Sequence, residues 1–125
     1  MEVKFEDSGT PLKRSRNRKG ETSGEQLRRM CKNIAEEITD GLKVDDTSGK
    51  GTVTEWMEDV YDIEWITHQD KTYKAARLLV AGGGPNIWVD LWDNEVKGYW
   101  GSTRVTDPFI DNLGLSEYCE EMYGY

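Results

Sequence analysis

Histidine, cysteine and grouped carboxylates are the residues of this chain that could carry out acid–base, nucleophilic or metal chemistry. The chain has one histidine, His68, and two cysteines, Cys31 and Cys119. Nucleophilic sites of the Ser-His-Asp or Cys-His type need a histidine next to the nucleophile. We predict that His68 lies at the surface of a strand and stacks on Tyr73. The sequence therefore predicts no catalytic residue.

The spacing of possible ligands also argues against a metal site. Zinc sites use several Cys or His side chains at short spacing, whereas Cys31, His68 and Cys119 are scattered along the chain. Apolar neighbours at helical intervals indicate that both cysteines are buried free thiols. No segment has the D-x-D-x-D-G spacing of an EF-hand, and we interpret acidic pairs such as Glu58-Asp59 as solubilising. We expect no metal and no cofactor.

A glycine-rich segment, Gly82-Gly83-Gly84-Pro85, could bind an anion through its backbone N–H groups. No Lys-Ser or Lys-Thr follows it, and it leads into a predicted strand rather than into a helix. We interpret it as a connection between adjacent strands that requires a positive φ angle. A close backbone contact with a partner is the alternative.

Charge is distributed unevenly along the 125 residues, which have a formal net charge of −8. Residues 1–24 contain six basic and four acidic side chains, and residues 25–125 contain ten basic and twenty acidic ones. The second part has a net charge of −10, so it repels phosphate backbones at long range. A body of this charge could compete with nucleic acid for a channel lined by Lys and Arg.

A basic run lies in the first part and consists of Lys13, Arg14, Arg16, Arg18 and Lys19. Five cations in seven residues can neutralise several phosphates and give a salt-sensitive affinity for nucleic acid. The alternative is a solubilising arm, or one that lies on the acidic body. Because this segment has almost no apolar side chains, we predict a flexible basic arm at 1–23 and a single domain at 24–125.

Hydrophobic periodicity predicts the helices of that domain. A first helix is expected at about 24–41, with a capping box made by Ser23 and Gln26. A polar, glycine-rich loop at 44–51 separates it from a short second helix at about 53–62. After the sheet, we expect a helix that starts just before Pro108, at Thr106 or Asp107, and a last turn or two capped by Ser116.

Period-two alternation between the helices predicts two β-hairpins, with two-residue turns at Asp70-Lys71 and Asp93-Asn94. The first hairpin places Glu64 opposite Arg77 and His68 opposite Tyr73. The second places Asp90 opposite Lys97 and Trp88 opposite Tyr99, with Ile87, Val89 and Val96 on the apolar face. The chain is expected to leave the sheet after Gly101. The predicted fold is α+β, of order α-α-β-β-β-β-α, with a four-stranded antiparallel meander packed on one face by helices.

Three aromatic side chains, Trp88, Trp92 and Tyr99, are predicted on the sheet face away from the helices. Exposed aromatic clusters usually mark contact surfaces, and the alternative is that a helix covers them as part of the core. The candidate partner-binding residues are Trp88, Asp90, Trp92, Tyr99, Glu117, Glu120 and Glu121.

Three segments form a recognisable pattern: Gly83-Gly84-Pro85-Asn86-Ile87-Trp88-Val89-Asp90, then Val96-Lys97-Gly98-Tyr99-Trp100-Gly101, then an acidic, aromatic C-terminal helix. In these segments the chain resembles a group of small proteins carried by phages and mobile elements of Firmicutes. It covers about residues 53–125. The group has no assigned chemistry, so it implies no residue roles. It implies a genetic setting in which counter-defence proteins occur, including small acidic inhibitors of restriction and CRISPR nucleases.

Two functions are expected from these observations. The first is a non-enzymatic phage or mobile-element protein that inhibits a bacterial defence nuclease, an anti-CRISPR or anti-restriction protein with an acidic surface that partly mimics nucleic acid. Its partner would be a host nuclease or CRISPR effector. The alternative is an accessory protein that binds nucleic acid through residues 13–19. No apolar run is long enough for a bilayer and no signal peptide is evident, so we expect no membrane association and a location in the bacterial cytoplasm.

Overall fold

The computed structural model describes residues 20–41 and 53–124, and the predicted α+β class is confirmed. The basic run at 13–19 and the predicted loop at 44–51 lie outside the described residues. The elements, in chain order, are α1 (Ser23–Asp40), α2 (Val53–Met57), β1 (Asp62–Thr67), β2 (Tyr73–Ala81), β3 (Asn86–Asp90), β4 (Glu95–Trp100), β5 (Thr103–Pro108) and α3 (Leu115–Tyr123).

The sheet has five strands in the order β1-β2-β3-β4-β5, so the predicted four-stranded sheet was wrong by one strand. Every neighbouring pair is antiparallel. The additional strand is β5, in the region where we expected the chain to leave the sheet and begin a helix. Its sequence, Thr-Arg-Val-Thr, is rich in β-branched residues and suits a strand. Pro108 lies at the end of this edge strand, where a missing N–H is tolerated.

Helix α1 matches its predicted bounds closely. It begins one residue earlier than predicted because its N-cap is Thr22. The Thr22 hydroxyl accepts a hydrogen bond from the Glu25 N–H (3.1 Å), and the Glu25 carboxylate accepts one from the Thr22 N–H (3.0 Å). This reciprocal pair is a capping box, one residue before the predicted one. Gly41 ends the helix with a φ of 75°, a conformation that favours glycine.

The apolar stripe of α1 packs on β4 and β5 and forms the centre of the core. Its side chains are at most 1% exposed: Leu27, Met30, Cys31, Ile34 and Ile38. The approach is closest at Gly98 of β4, where a Cβ would lie 2.5 Å from the Sγ of Cys31. The absence of a side chain at this position lets the helix lie close to the sheet.

The other two helices differ from their predicted bounds. Helix α2 ends at Met57 rather than near residue 62, and the indole N–H of Trp56 donates to the Glu37 carboxylate of α1 at 3.2 Å. Helix α3 begins at Leu115, because the Asp111 carboxylate accepts the N–H groups of Leu115 (2.8 Å) and Ser116 (3.0 Å). The predicted start near Pro108 was wrong, whereas the last turn or two predicted from Ser116 lies within α3. Both α3 and α1 contribute to the same core.

The first hairpin has part of the predicted register. Glu64 lies opposite Arg77, as predicted, but Thr67 rather than His68 lies opposite Tyr73. The register shifts between Ile66 and Thr67, which moves His68 out of the strand. His68 lies in the turn, where its N–H donates to the Thr72 carbonyl at 2.9 Å.

The second hairpin is displaced by two residues from the predicted register. Trp88 lies opposite Lys97 and Asp90 opposite Glu95, because the turn contains the four residues 91–94 rather than Asp93-Asn94 alone. A shift of two residues keeps every side chain on its own face. The predicted division into a polar and an apolar face is therefore confirmed, although the predicted partners are wrong.

The three helices share one core with one face of the sheet. That covered face contains Leu78, Ile87, Val89 and Val96, all fully buried. By alternation, the opposite face contains Glu64, Arg77, Trp88, Asp90, Lys97 and Tyr99. We call this opposite side the open face, because none of the described helices packs on it.

Candidate functional site

A shallow basin of about 200 Å³ lies at the centre of the open face. Strands β1 to β4 each contribute to it, so its shape depends on the register of three strand pairs. Its lining consists of Glu64, Arg77, Trp88, Asp90, Lys97 and Tyr99. Three of the seven predicted partner-binding residues, Trp88, Asp90 and Tyr99, are thus brought together.

Asp90 is the central residue of the basin, and its side chain is only 3% exposed. One carboxylate oxygen, Oδ2, lies 3.1 Å from the Lys97 ammonium and 3.3 Å from the Nε of Arg77. The other, Oδ1, accepts the N–H of Trp92 at 2.9 Å. A carboxylate can be buried at a tolerable cost when it has this many donors. Asp90 is therefore an internal organiser of the open face rather than a freely accessible contact residue.

The two cations next to Asp90 have further anionic partners. Arg77 contacts the Glu64 carboxylate at 3.3 Å, and Lys97 contacts the Asp93 carboxylate at 2.6 Å. The hydrogen bond to Asp93 raises the pKa of Lys97, and the bond to Asp90 adds to this effect. The result is a continuous charge network, Glu64–Arg77–Asp90–Lys97–Asp93, which restricts the side chains before any ligand arrives.

Aromatic rings lie next to this network. Trp88 and Tyr99 are half-buried and occupy diagonal positions of β3 and β4. The Arg104 guanidinium of β5 lies 5.7 Å from the centroid of the Tyr99 ring, within cation–π range. Trp92 is different, because it lies in the β3–β4 turn and is 56% exposed, with the Lys74 ammonium 4.3 Å from its ring centroid.

The acidic residues proposed as partners lie elsewhere. Glu117, Glu120 and Glu121 are exposed on α3, which packs against the covered face of β2. The seven predicted partner-binding residues therefore do not form one surface: Trp88, Asp90 and Tyr99 lie on the open face, Trp92 lies in the β3–β4 turn and the three glutamates lie on the helical side. Conversely, Arg77 and Lys97 line the basin but were not among the predicted site residues. The sequence signal that could have identified them was the predicted pairing of Arg77 with Glu64 and of Lys97 with Asp90.

Carboxylates are concentrated on the helical side. The described residues include nineteen acidic and eight basic side chains, so their formal charge is −11. A groove of about 360 Å³ along α1 is lined by Asn33, Ile34, Glu36, Glu37 and Asp40. Of the eight described cations, Arg77, Lys97 and Arg104 lie on the open face. The helical side is thus strongly anionic, whereas the open face is only weakly anionic, with Asp62, Glu64, Asp90 and Glu95 against these three cations.

Cys31 and Cys119 are free cysteines buried in the core. Burial raises the pKa of Cys31 to about 12 and that of Cys119 to about 11, whereas a reactive cysteine needs a depressed pKa. His68 is exposed in its turn, and the Tyr73 ring contacts Trp65 and Tyr123 instead of the predicted histidine.

Two further searches cover the described residues only. Among residues 20–41 and 53–124, no group of three or more His, Cys, Asp or Glu side chains is arranged to bind a metal ion. Within the same ranges, no helix has the length and apolar character needed to cross a bilayer.

Comparison of the chain with protein families, with curated proteins and with solved structures found no match. The fold alone therefore defines the class of this protein. It is an α+β protein with a five-stranded antiparallel meander and helices on one face of the sheet.

Proposed function

We propose that this protein acts by binding another protein, and that its partner is a nuclease of a bacterial defence system, of the restriction or CRISPR kind. One observation carries the proposal. The open face presents half-buried Trp88 and Tyr99 beside a charge network that is already ordered around Asp90. The protein would act in the cytoplasm of a bacterial host, where such nucleases meet their targets.

The residue types on the open face support a binding role. Trp, Tyr and Arg dominate the energetic centres of protein interfaces, and all three occur around this basin together with Arg104 of the neighbouring strand. Ordering a flexible charged side chain at an interface costs about 0.5–1.5 kcal/mol. Arg77 and Lys97 are already ordered by Asp90, so much of that cost is absent on binding.

The charge of the protein supports a nuclease as the partner. A nuclease binds its substrate in a groove lined by cations, and the helical side of this protein is strongly anionic. Complementary charge accelerates association with such a groove and disfavours partners of like charge. The resemblance to small phage and mobile-element proteins adds the genetic setting in which such inhibitors occur.

The two surfaces have different roles in this proposal. The open face and the outer sides of the helices lie on opposite sides of the sheet, so a partner that contacts one of them need not contact the other. We assign affinity and specificity to Trp88 and Tyr99, and long-range attraction to the helical carboxylates. Neutralising several carboxylates should then slow association, whereas truncating the aromatics should accelerate dissociation.

Cleavage assays with purified restriction enzymes and CRISPR effectors test the proposal. We expect inhibition of at least one nuclease, and weaker binding when guide or DNA is bound first. The variant Trp88→Ala/Tyr99→Ala should lose at least about 30-fold in affinity, because truncating an interface anchor typically costs 2 kcal/mol or more. Ile110→Ala is a matched control, since Ile110 is 64% exposed and its N–H donates to Thr39 of α1, on the helical side.

The function would be refuted if no nuclease of either kind bound the protein. Equal inhibition of a nuclease by the wild type and by Trp88→Ala/Tyr99→Ala would instead refute the assignment of the open face as the contact surface.

The second candidate function is nucleic-acid binding through the basic run. Its support is the density of cations in the sequence at 13–19, which favours phosphate contacts. Replacing Lys13, Arg14, Arg16, Arg18 and Lys19 by Gln should then abolish binding to duplex DNA and RNA and flatten its salt dependence. Unchanged binding after this replacement would exclude the candidate.

A further inference from the structure

Strand β1 forms one edge of the sheet, and β2 is its only partner among the described strands. An edge strand presents unpaired backbone N–H and C=O groups to any strand that approaches it. At the start of β1 the Ile63 N–H donates to the Asp62 carboxylate at 2.9 Å, which occupies one of these donors. Along the remaining length of β1, no strand other than β2 pairs with it among residues 20–41 and 53–124.

The opposite edge, β5, is less accessible. It ends at Pro108, which has no N–H to donate, and α1 packs along it. The beginning of α1 is so close that a Cβ at Gly24 would lie 3.9 Å from the Cγ2 of Thr103. The helices pack mainly on β2, β4 and β5, so β1 is the edge of the sheet with the least cover from the described residues.

Exposed aromatic side chains lie next to the β1 edge. Trp65 is 36% exposed, and its ring centroid lies 5.1 Å from that of Tyr123 and 6.3 Å from that of Tyr73. The Tyr123 hydroxyl donates to the Lys71 carbonyl at 2.8 Å, and the Tyr73 hydroxyl shares a hydrogen bond with Ser116 at 3.0 Å. The cluster is therefore fixed in place while one of its rings stays accessible to a partner.

The other side of β1 is anionic. Asp62 and Glu64 are both exposed and occupy alternate positions, so their side chains lie on the open face, away from Trp65. In a strand added along β1, every second side chain would lie next to these carboxylates. The side chains between them would lie next to the aromatic cluster.

We propose that β1 is a docking edge for an extended segment of a partner protein in which cationic and apolar side chains alternate. Backbone hydrogen bonds to the free edge provide affinity, and the two faces of β1 select the side chains. This edge shares Glu64 with the rim of the basin around Asp90, but its backbone groups and the Trp65 cluster lie outside the basin, and the proposal does not depend on the function proposed above.

The first experiment uses the full-length protein and the hexapeptide Ac-Arg-Val-Arg-Val-Arg-Val-NH2 as the probe. Binding is followed by NMR titration together with amide hydrogen exchange. We expect saturable binding and increased protection of the amides of Ile63–Thr67. Two further peptides are methylated at every second backbone nitrogen, one at the three Arg nitrogens and the other at the three Val nitrogens. A paired strand donates hydrogen bonds to β1 from one of its edges, so only one of these peptides should lose affinity, by at least about ten-fold.

The protein variants test the selection of side chains. Asp62→Lys/Glu64→Lys should weaken peptide binding by at least about ten-fold, and Trp65→Ala should weaken it as well. Glu36→Lys/Asp40→Lys makes the same change in net charge on the outer side of α1 and should retain the binding through β1. If the charge reversal in β1 impairs folding, Asp62→Asn/Glu64→Gln replaces it, with circular dichroism as the check.

Three results would overturn the inference. Equal binding of both methylated peptides would show a purely electrostatic association. Unchanged exchange in β1 would place the peptide elsewhere. A dimer that the peptide dissociates, detected by sedimentation, would assign the β1 edge to a second copy of this chain instead of to a partner protein.

Discussion

Gly98 of β4 lies directly beneath Cys31 of α1, so close that a Cβ on the glycine would stand 2.5 Å from the cysteine Sγ. The Cδ1 of Leu27 would be 2.8 Å away. Gly83 and Gly101 have positive φ angles, but Gly98 does not. Glycine is therefore required at position 98 because of the close contact with the helix and not because of its backbone conformation. This contact determines how closely the helix that covers the core approaches the sheet.

Gly98→Ala should therefore destabilise the protein by about 1–3 kcal/mol, the usual cost of overpacking a well-packed core. Urea unfolding measures the change. The matched control is Gly84→Ala, where a Cβ would meet nothing within 4 Å, and we expect a change within about 0.5 kcal/mol. Adding Cys31→Ala to Gly98→Ala should recover part of the loss, because it removes the nearer of the two atoms. Strictly additive effects would contradict this account.

Asp90→Ala should cost more than the removal of a surface charge. It removes the acceptor of the Trp92 N–H and the shared partner of Arg77 and Lys97. Hydrogen bonds to charged groups contribute about 1.5–3 kcal/mol, so we expect a loss in that range by urea unfolding. Asp93→Ala is the control, because the more exposed Asp93 carboxylate forms an ion pair with Lys97 alone among the described residues. Its removal should cost about 0–1 kcal/mol. Equal losses would show that the network is not organised around Asp90.

The two thiols should be unreactive in the folded protein. Burial raises the pKa of Cys31 to about 12 and that of Cys119 to about 11, and the thiolate is the reactive form. At mildly alkaline pH, a chromogenic disulfide reagent should label neither cysteine in native buffer. It should label both in concentrated guanidinium chloride, which is the control for accessible thiols. Rapid labelling of either cysteine in native buffer would contradict the buried placement.

Asp107→Asn should stabilise the protein slightly at neutral pH. Burial raises the pKa of Asp107, Lys32 opposes this shift and Glu36 adds to it. A carboxyl group whose pKa is higher in the folded than in the unfolded state favours folding when it is protonated. The charged form of Asp107 therefore lowers the free energy of unfolding, and this loss appears as the pH rises above the unfolded-state pKa of about 3.9. Solvent screens this partly buried carboxylate, so we expect a gain of at most about 0.5 kcal/mol at neutral pH. No gain is expected in acid, where the wild-type group is also neutral. A gain that is independent of pH would assign the effect to packing instead.

Local patterns of the sequence determined the helix and the faces of the sheet. The apolar spacing from Leu27 to Ile38 was sufficient for α1, because a helix of this length repeats its stripe over five turns. Alternation in β3 and β4 determined which side chains face the core. The alternation has a period of two, so it is equally satisfied when the partner strand moves by two residues. That is why the faces of the second hairpin were predicted correctly and its pairs were not.

Tertiary structure decided the contents of the site. Arg77 meets Asp90 only because β2 pairs with β3 across the glycine-rich connection, and the exact register of that pair depends on an irregularity between Leu79 and Ala81. The strand β5 likewise forms because β4 offers it an edge, whereas its own sequence also permits a helix start at Pro108. The α3 glutamates and the pair Trp88 and Tyr99 lie on different sides of the sheet, because α3 packs on the covered face of β2. Local periodicity selects the face of each side chain, whereas only the packing of distant segments selects its neighbours.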